Sequence, residues 1–283
     1  MTDSLRIGLT QMAPTRDRDA NLAIACDLVR ACAGADLVLL PENCLHLGSN
    51  AEMREMAMEI DAPPLLRLAE VARESATPVM LGGFKRRLGD GGIRNSAVLW
   101  GADGAVAAIY DKIHLFDARV AGQSFEASSV EQAGERPLLL DMAGTRIGVT
   151  ICYDVRFPDL YRRLALAGAE TILVPSAFTQ VTGAAHWHTL LRARAIENEC
   201  FVVASATIRR GDGSDAFETY GHALVVDPWG EVLADFGTAP NEARIITLDL
   251  NRVRSARDRL PVLSHVRADA YAADPAIAAL PAS

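Results

Sequence analysis

Residues 148–163 read GVTICYDVRFPDLYRR. An apolar, partly β-branched run ends at Cys152, and a charged, helix-like segment opens a few residues later at Pro158. Branched side chains suit a pleated strand, and proline is tolerated in a first helical turn. The stretch therefore reads as strand, tight corner and helix, the repeating step of an α/β protein. It also puts a thiol at the corner. A buried cysteine is ordinarily a small hydrophobe, but one at the lip of a sheet can act as a nucleophile if partners reach it.

The same alternation continues on both sides. LRIGLTQ reads as a strand, RDANLAIACDLVRACAGA as a helix, and DLVLLPE as the next strand. PPLLRLAEVARESA is a helix opened by prolines, and PVMLGGF a strand. Downstream, a helix over about 159–168 leads to the strand TILVP. AAHWHTLLRARAIENE places Trp187, Leu190, Leu191 and Ala195 on one face, the helical period. CFVVASATI and ARIITLDL read as further strands. Two hairpins echo each other, SAVLWGADGAVAAIY and HALVVDPWGEVLADF, each a strand, a turn with Asp and Gly, and a strand. Such an echo points to two related sheets facing one another. No linker-like stretch interrupts the pattern, so a single domain is expected over residues 1–283. Its core runs over about 5–250, and an Ala/Pro-rich tail over about 262–283 should lie along a surface or a partner.

Composition narrows the function classes. The chain has 283 residues, 50% apolar and 23% charged, enough for a sizeable core. Lys plus Arg number 28 against 36 acids, a net charge of −8, which disfavours nucleic acid and membrane surfaces as general partners. No apolar run approaches the roughly 18 residues of a membrane span, and the stretch MTDSLRIGLTQ lacks the basic end and apolar run expected of a secretion signal. Five scattered cysteines with no CxxC pair fit a reducing, cytoplasmic setting rather than a disulfide framework or structural zinc. No phosphate-binding glycine loop appears, and no cofactor or metal is expected.

Partners for the thiol do exist. Glu42 ends the strand DLVLLPE, and Lys112 ends AVAAIYDK, so both sit where α/β sheets gather their reacting groups. Singly, Glu42 reads as a turn acid and Lys112 as a solvated strand-end charge. Jointly with Cys152 they complete a cysteine hydrolase. A free thiol has a pKa of about 8.5, so it needs a base. Glu42 can take its proton, Lys112 can hold the developing oxyanion, and the backbone N–H of Tyr153 can supply a second donor.

These residues resemble the nitrilase, or carbon–nitrogen hydrolase, superfamily. The resemblance runs over about residues 5–270, through LLPEN, YDKIHLFD, GVTICYDVRFPDLYRRLALAGA, VPSAFTQVTGAAHW, LLRARAIEN and YGHALVVDPWG in that order. It implies a four-layer α-β-β-α sandwich, hydrolysis of an amide or nitrile, and a homodimer or larger homo-oligomer joined through helices near the cysteine. It also implies Glu42 as general base, Lys112 as oxyanion-stabilising cation and Cys152 as nucleophile. Glu126, in GQSFEASS, matches a second glutamate that steadies the lysine; otherwise it is one more surface acid. ICYDVRFPDLY and PSAFTQVTGAAHW look most like the branch holding ω-amidases and deaminated-glutathione amidases, which cleave a terminal amide of a small carboxylated substrate. Such a substrate needs a cation, and Arg156 is the candidate unless it pairs with Asp154 or Asp159. Phe178 and Thr182, in the loop after TILVP, should wall the same pocket.

Rival readings are weaker. A Cys–His–Asp set drawn from His114, Asp117 and His222 would leave Glu42 and Lys112 as bystanders. His186 and His188 lie two apart on a helix, about 200° in rotation, so they cannot share one ion. Related chains commonly carry Glu where His188 stands, so its role is open. Nitrilase or N-carbamoyl amino-acid hydrolase chemistry would use the same triad, and a catalytically idle interaction protein would keep only the fold. The basic residues of YRRLALAG and LLRARAIEN read as an ion-paired helix surface or subunit contact.

Overall fold

In the computed structural model, which describes residues 3–272 and 274 apart from 121, 143 and 211–216, the alternation predicted from sequence builds two sheets. The first half holds β1 (Ser4–Met12), α1 (Arg18–Ala31), β2 (Leu37–Leu40), α2 (Asn50–Glu55), α3 (Pro63–Glu74), β3 (Val79–Arg87), β4 (Ile93–Trp100) and β5 (Val106–Asp111). A small ribbon, β6 (Asp117–Val120) and β7 (Gln123–Glu126), connects it to β8 (Leu138–Met142), β9 (Thr145–Val149), α4 (Pro158–Leu166) and β10 (Thr171–Leu173). Then come α5 (Gln180–Asn198), β11 (Phe201–Ala204), β12 (Ala206–Arg209), β13 (Thr219–Tyr220), β14 (Leu224–Val226) and β15 (Val232–Asp235). β16 (Glu242–Asp249), α6 (Asn251–Arg259) and α7 (Ala268–Tyr271) close the described chain.

The two sheets repeat one wiring scheme. In the first, β16-β1-β2-β3-β4-β5 pair antiparallel, parallel, parallel, antiparallel, antiparallel. In the second, β8-β9-β10-β11-β14-β15 pair in the same sequence of senses. The echoing hairpins are β4–β5 and β14–β15, at equivalent edges. Each has a register shift, and their turn glycines, Gly104 and Gly230, both take positive φ, at 80° and 86°. Glycine adopts that conformation without the Cβ clash.

Strand periodicity sorts the layers. Leu37 and Leu39 of β2 face a core shared with Ile147, Val149 and Val202 of the second sheet. Val38 and Leu40 face the other way, against Leu28, Leu65 and Leu68 of α1 and α3. Tyr161 and Leu164 of α4 and Trp187 and Leu191 of α5 cover the outer face of the second sheet. The order is helices, sheet, sheet, helices: the four-layer α-β-β-α sandwich.

Local chemistry sets the ends that matter for the site. Asp17 caps α1 by accepting from Ala20 N. Pro158 opens α4 and holds Phe157 before it in an extended conformation. α5 begins at Gln180, earlier than its apolar stripe indicates, because the Thr179 side chain accepts from Thr182 N and caps it. Gly183 sits inside that first turn, where a Cβ would meet the Cβ of Tyr220 at 2.3 Å. The β6–β7 ribbon was not anticipated, since four-residue strands leave little alternation to read. Most of the Ala/Pro-rich tail after residue 272 lies outside the described residues.

Candidate active site

β2, β5 and β9 all deliver their C-terminal ends to one cleft, which encloses about 720 Å³ with part of it open to solvent. Glu42, Lys112 and Cys152 line it together. Glu42 Oε1 accepts from Lys112 Nζ at 2.9 Å and from Asn95 Nδ2 at 2.8 Å. Its Oε2 accepts from Ala177 N at 2.9 Å, so the carboxylate is fixed from both sides. All three side chains are buried.

The thiol is held by backbone strain and by one buried acid. Cys152 begins a 3₁₀ turn at φ 46°, which a residue with a Cβ occupies only when its surroundings impose it. Its N–H donates to Pro175 O at 2.9 Å. Gly82 lets Pro175 come that close to the first sheet, since a Cβ there would meet Pro175 and Leu40 O at 2.2 Å. Asp154 Oδ2 accepts from Ile151 N and from Tyr110 O–H, and Oδ1 from His114 N. Asp154 N in turn donates to Ile151 O. Among the described residues no hydrogen bond uses the Tyr153 N–H between them.

Charge is distributed as general-base chemistry needs. Burial would raise the Glu42 pKa, but Lys112 beside it, then Lys85, hold it below the usual carboxylate range. Burial would lower Lys112, yet Glu42 and then Cys152 keep it well above the ordinary lysine value. Burial pushes the Cys152 thiol up, and the Glu42 charge adds to that against the pull of Lys112. These directions favour a carboxylate paired with an ammonium and a protonated thiol in the same cleft, the set that general-base attack by sulfur starts from.

The carbon-nitrogen hydrolase family model matches residues 6–258. The chain belongs to the carbon–nitrogen hydrolase family. This hydrolase is 38% identical over 262 residues to a deaminated glutathione amidase of Synechocystis, covering 90% of this chain and 95% of that one. It is 35% identical over 276 residues to the omega-amidase of Homo sapiens, covering 96% and 98%. The C. elegans NitFhit structure superposes with a TM-score of 0.87 at 35% identity, over 95% of this chain and 66% of that one. A Nesterenkonia amidase superposes at 0.78 and 25% identity, over 95% of each chain; its active-site cysteine carries the acetamide moiety of fluoroacetamide.

The hydrolase brings most of the expected pocket residues together. Arg156 lines the cleft with its guanidinium 5.1 Å from the Phe178 ring centroid and 6.0 Å from that of Tyr153. Its expected rivals for an ion pair are spent elsewhere in the case of Asp154, and Arg156 makes no salt bridge among the described residues. Phe178 and Thr182 also line the cleft, although the Thr182 hydroxyl bonds that of Thr179 within the α5 cap.

Glu126 also lines the cleft, from its exposed side. It is exposed at the end of β7 and accepts from the Ser124 hydroxyl at 3.1 Å. The acid of this loop that is buried in the cleft is Glu131, five residues on, which ion-pairs with Lys85 and adds its charge to those acting on Lys112. The only sequence sign of it was a second glutamate in the same loop. Asn43 was also missed: it takes φ 55° and turns a buried side-chain oxygen without a partner beside the cleft.

The Cys–His–Asp alternative does not assemble. His114 Nδ1 is 2.7 Å from Asp154 Oδ1, and its ring stacks on Phe157 at 3.5 Å. Asp117 accepts from Ser128 N, and His222 bonds Asp235. None of the three lines the cleft.

Proposed function

We propose that this hydrolase cleaves the terminal amide of a small carboxylated substrate, releasing ammonia through a thioester on Cys152. One observation carries the reading: a strained, buried thiol shares its cleft with a Glu42–Lys112 pair 2.9 Å apart. As sulfur bonds to the amide carbon, its proton passes to Glu42, and the oxyanion is met by Lys112 Nζ and the Tyr153 N–H. Glu42 returns the proton to the leaving nitrogen, the C–N bond breaks and ammonia departs. Water then gives a proton to Glu42 and attacks the thioester. Collapse returns that proton to sulfur and frees the acid.

Arg156, unpaired by acids and set between two aromatic rings, would hold the substrate carboxylate. The aromatic wall of Phe116, Phe125 and Phe217 would pack the chain between carboxylate and amide. The names of the human and Synechocystis relatives and the covalent adduct on the Nesterenkonia cysteine support the same reading. No helix among the described residues is long and apolar enough to cross a membrane, and a reducing cytoplasm would keep the five free cysteines as thiols.

Ammonia release from a panel of ω-amides, nitriles and N-carbamoyl amino acids tests the reaction. Amides bearing a carboxylate should turn over fastest, and intact-mass spectrometry during turnover should show an acyl adduct on Cys152. Arg156→Gln should raise KM for carboxylated amides far more than it lowers kcat. Turnover confined to nitriles or carbamoyl compounds would refute the amide assignment.

A further inference from the structure

His188 on α5, His222 in the turn between β13 and β14, and Asp235 at the end of β15 lie outside the cleft. His188 Nε2 is 2.9 Å from Asp235 Oδ2, and His222 Nδ1 is 3.0 and 3.1 Å from the two oxygens of Asp235. One donor atom from each residue falls within 4.8 Å of the other two. We propose that these three side chains form a binding site for one divalent transition-metal ion of the zinc type, with water as fourth ligand.

The dimensions fit a small adjustment. Bonds of about 2.0–2.1 Å to imidazole nitrogen and carboxylate oxygen give a tetrahedron with edges of roughly 3.3 Å. The two contacts to Asp235 must open by a few tenths of an ångström, and the remaining pair must close by at most about 1.5 Å. Side-chain rotation supplies that, since all three side chains are partly exposed, at 35%, 21% and 30%. Exposure also leaves an open direction for ion and water. Each imidazole must present a lone pair, so the N–H now donated to Asp235 moves to the other ring nitrogen. Two imidazoles and one carboxylate suit zinc and its first-row neighbours and not calcium or magnesium, which favour all-oxygen ligation.

The backbone behind the ligands is fixed. His222 sits at φ 56°, its N–H donating to Gly237 O and its carbonyl accepting from Trp187 Nε1 at 2.9 Å. Trp187 immediately precedes His188 on α5. Asp235 Oδ1 accepts from Gly237 N, and Tyr220 stacks on His222 at 4.3 Å. A bound ion would clamp α5 to the β14–β15 hairpin. Trp187 packs on Phe178 at 4.9 Å, so the clamp lies two residues' contact from the cleft wall. Its role would be structural, because none of the three ligands reaches the thiol.

Tag-free, chelator-stripped protein titrated with Co²⁺ tests this. The site should bind one ion per chain and show tetrahedral d–d absorption without the charge-transfer band of a cobalt thiolate, which excludes Cys152. His188→Gln and Asp235→Asn should each weaken binding at least tenfold. Zn²⁺ should raise the Tm of the wild type but not of either variant. Metal-free His188→Gln should hydrolyse amides as the metal-free wild type does. Absence of stoichiometric binding, binding unchanged in both variants, or a thiolate spectrum would each overturn the site and leave a hydrogen-bonded His–Asp–His bridge.

Discussion

The imidazole Nδ1 of His114 lies 2.7 Å from Oδ1 of Asp154, and that contact commits the histidine to the scaffold of the nucleophile turn. Asp154 is fully buried and receives Tyr110 O–H, Ile151 N and His114 N as well. Asp154→Asn would turn an amide N–H₂ against one of these donors. The expected cost is about 2–3 kcal/mol of stability, the desolvation penalty of donors left unmatched in a buried site. Denaturant unfolding measures it, and iodoacetamide labelling of Cys152 should slow in parallel as the turn loosens. His114→Gln, which keeps a donor, should retain most activity; a loss as deep as that of Cys152→Ala would return His114 to the chemistry.

A second expectation concerns acid. Glu42 has its carboxyl pKa lowered in the folded protein, burial being outweighed by Lys112 and then Lys85. A depressed carboxylate contributes stability that is present above its unfolded pKa, about 4.3, and is lost as pH falls through the folded value. Activity should follow, since a protonated Glu42 cannot accept the thiol proton. Because that carboxyl is held below the ordinary range, the wild-type kcat/KM should stay flat from neutral pH down to about 4.3, with its acid limb lying lower still. Glu42→Gln should lose about 10²–10⁴-fold in kcat and show no such acid limb. Its unfolding free energy should also vary less with pH below about 4.3.

Much of this was legible because the informative signals are local. Leu37–Leu40 shows its strand by continuous apolar character, and the Gly148–Cys152 run ends where it turns into the site. The echo of two hairpins pointed to two related sheets, because each hairpin writes its turn chemistry into neighbouring residues, while their common strand order is set by long-range pairing that no local stretch records. The loop from Asp117 to Gly134 resisted for the opposite reason. Its glutamates are five residues apart, one at the end of the short β7 and one just beyond a single 3₁₀ turn, and only the long-range pairing with Lys85 selects Glu131 for burial. His188, His222 and Asp235 were invisible as a group, since 34 and 13 residues separate them in the chain.

Subunit association is the third expectation. α4 and α5 expose Leu166, Val181 and Ile196 beside basic residues, and apolar side chains on such a face favour self-complementary pairing. The homodimer should survive dilution to micromolar concentration in light scattering. Leu166→Glu with Ile196→Glu should shift it to monomer while leaving the far-UV circular dichroism unchanged. A wild-type monomer at micromolar concentration would refute the assignment of this face.

The last expectation separates the two glutamates of the loop. Glu126 is exposed and its carboxylate bonds only the Ser124 hydroxyl among the described contacts, whereas Glu131 is buried, paired with Lys85, and acts on Lys112. Glu126→Gln should therefore leave both stability and kcat near wild type. Glu131→Gln removes one member of a buried pair and strands the Lys85 ammonium, a change that costs about 3–5 kcal/mol in comparable sites. It also removes a negative charge acting on Lys112, so the lysine and Glu42 bind each other in a more cationic field. kcat should fall with KM for carboxylated amides little changed or lower, because a second unpaired cation in the cleft attracts the anionic substrate. Lys85→Met combined with Glu131→Leu removes both charges and should recover stability without recovering kcat, which separates the electrostatic part from the structural one. If Glu126→Gln abolishes turnover while Glu131→Gln is silent, the exposed residue is the functional acid and the β6–β7 ribbon must fold inward when substrate binds.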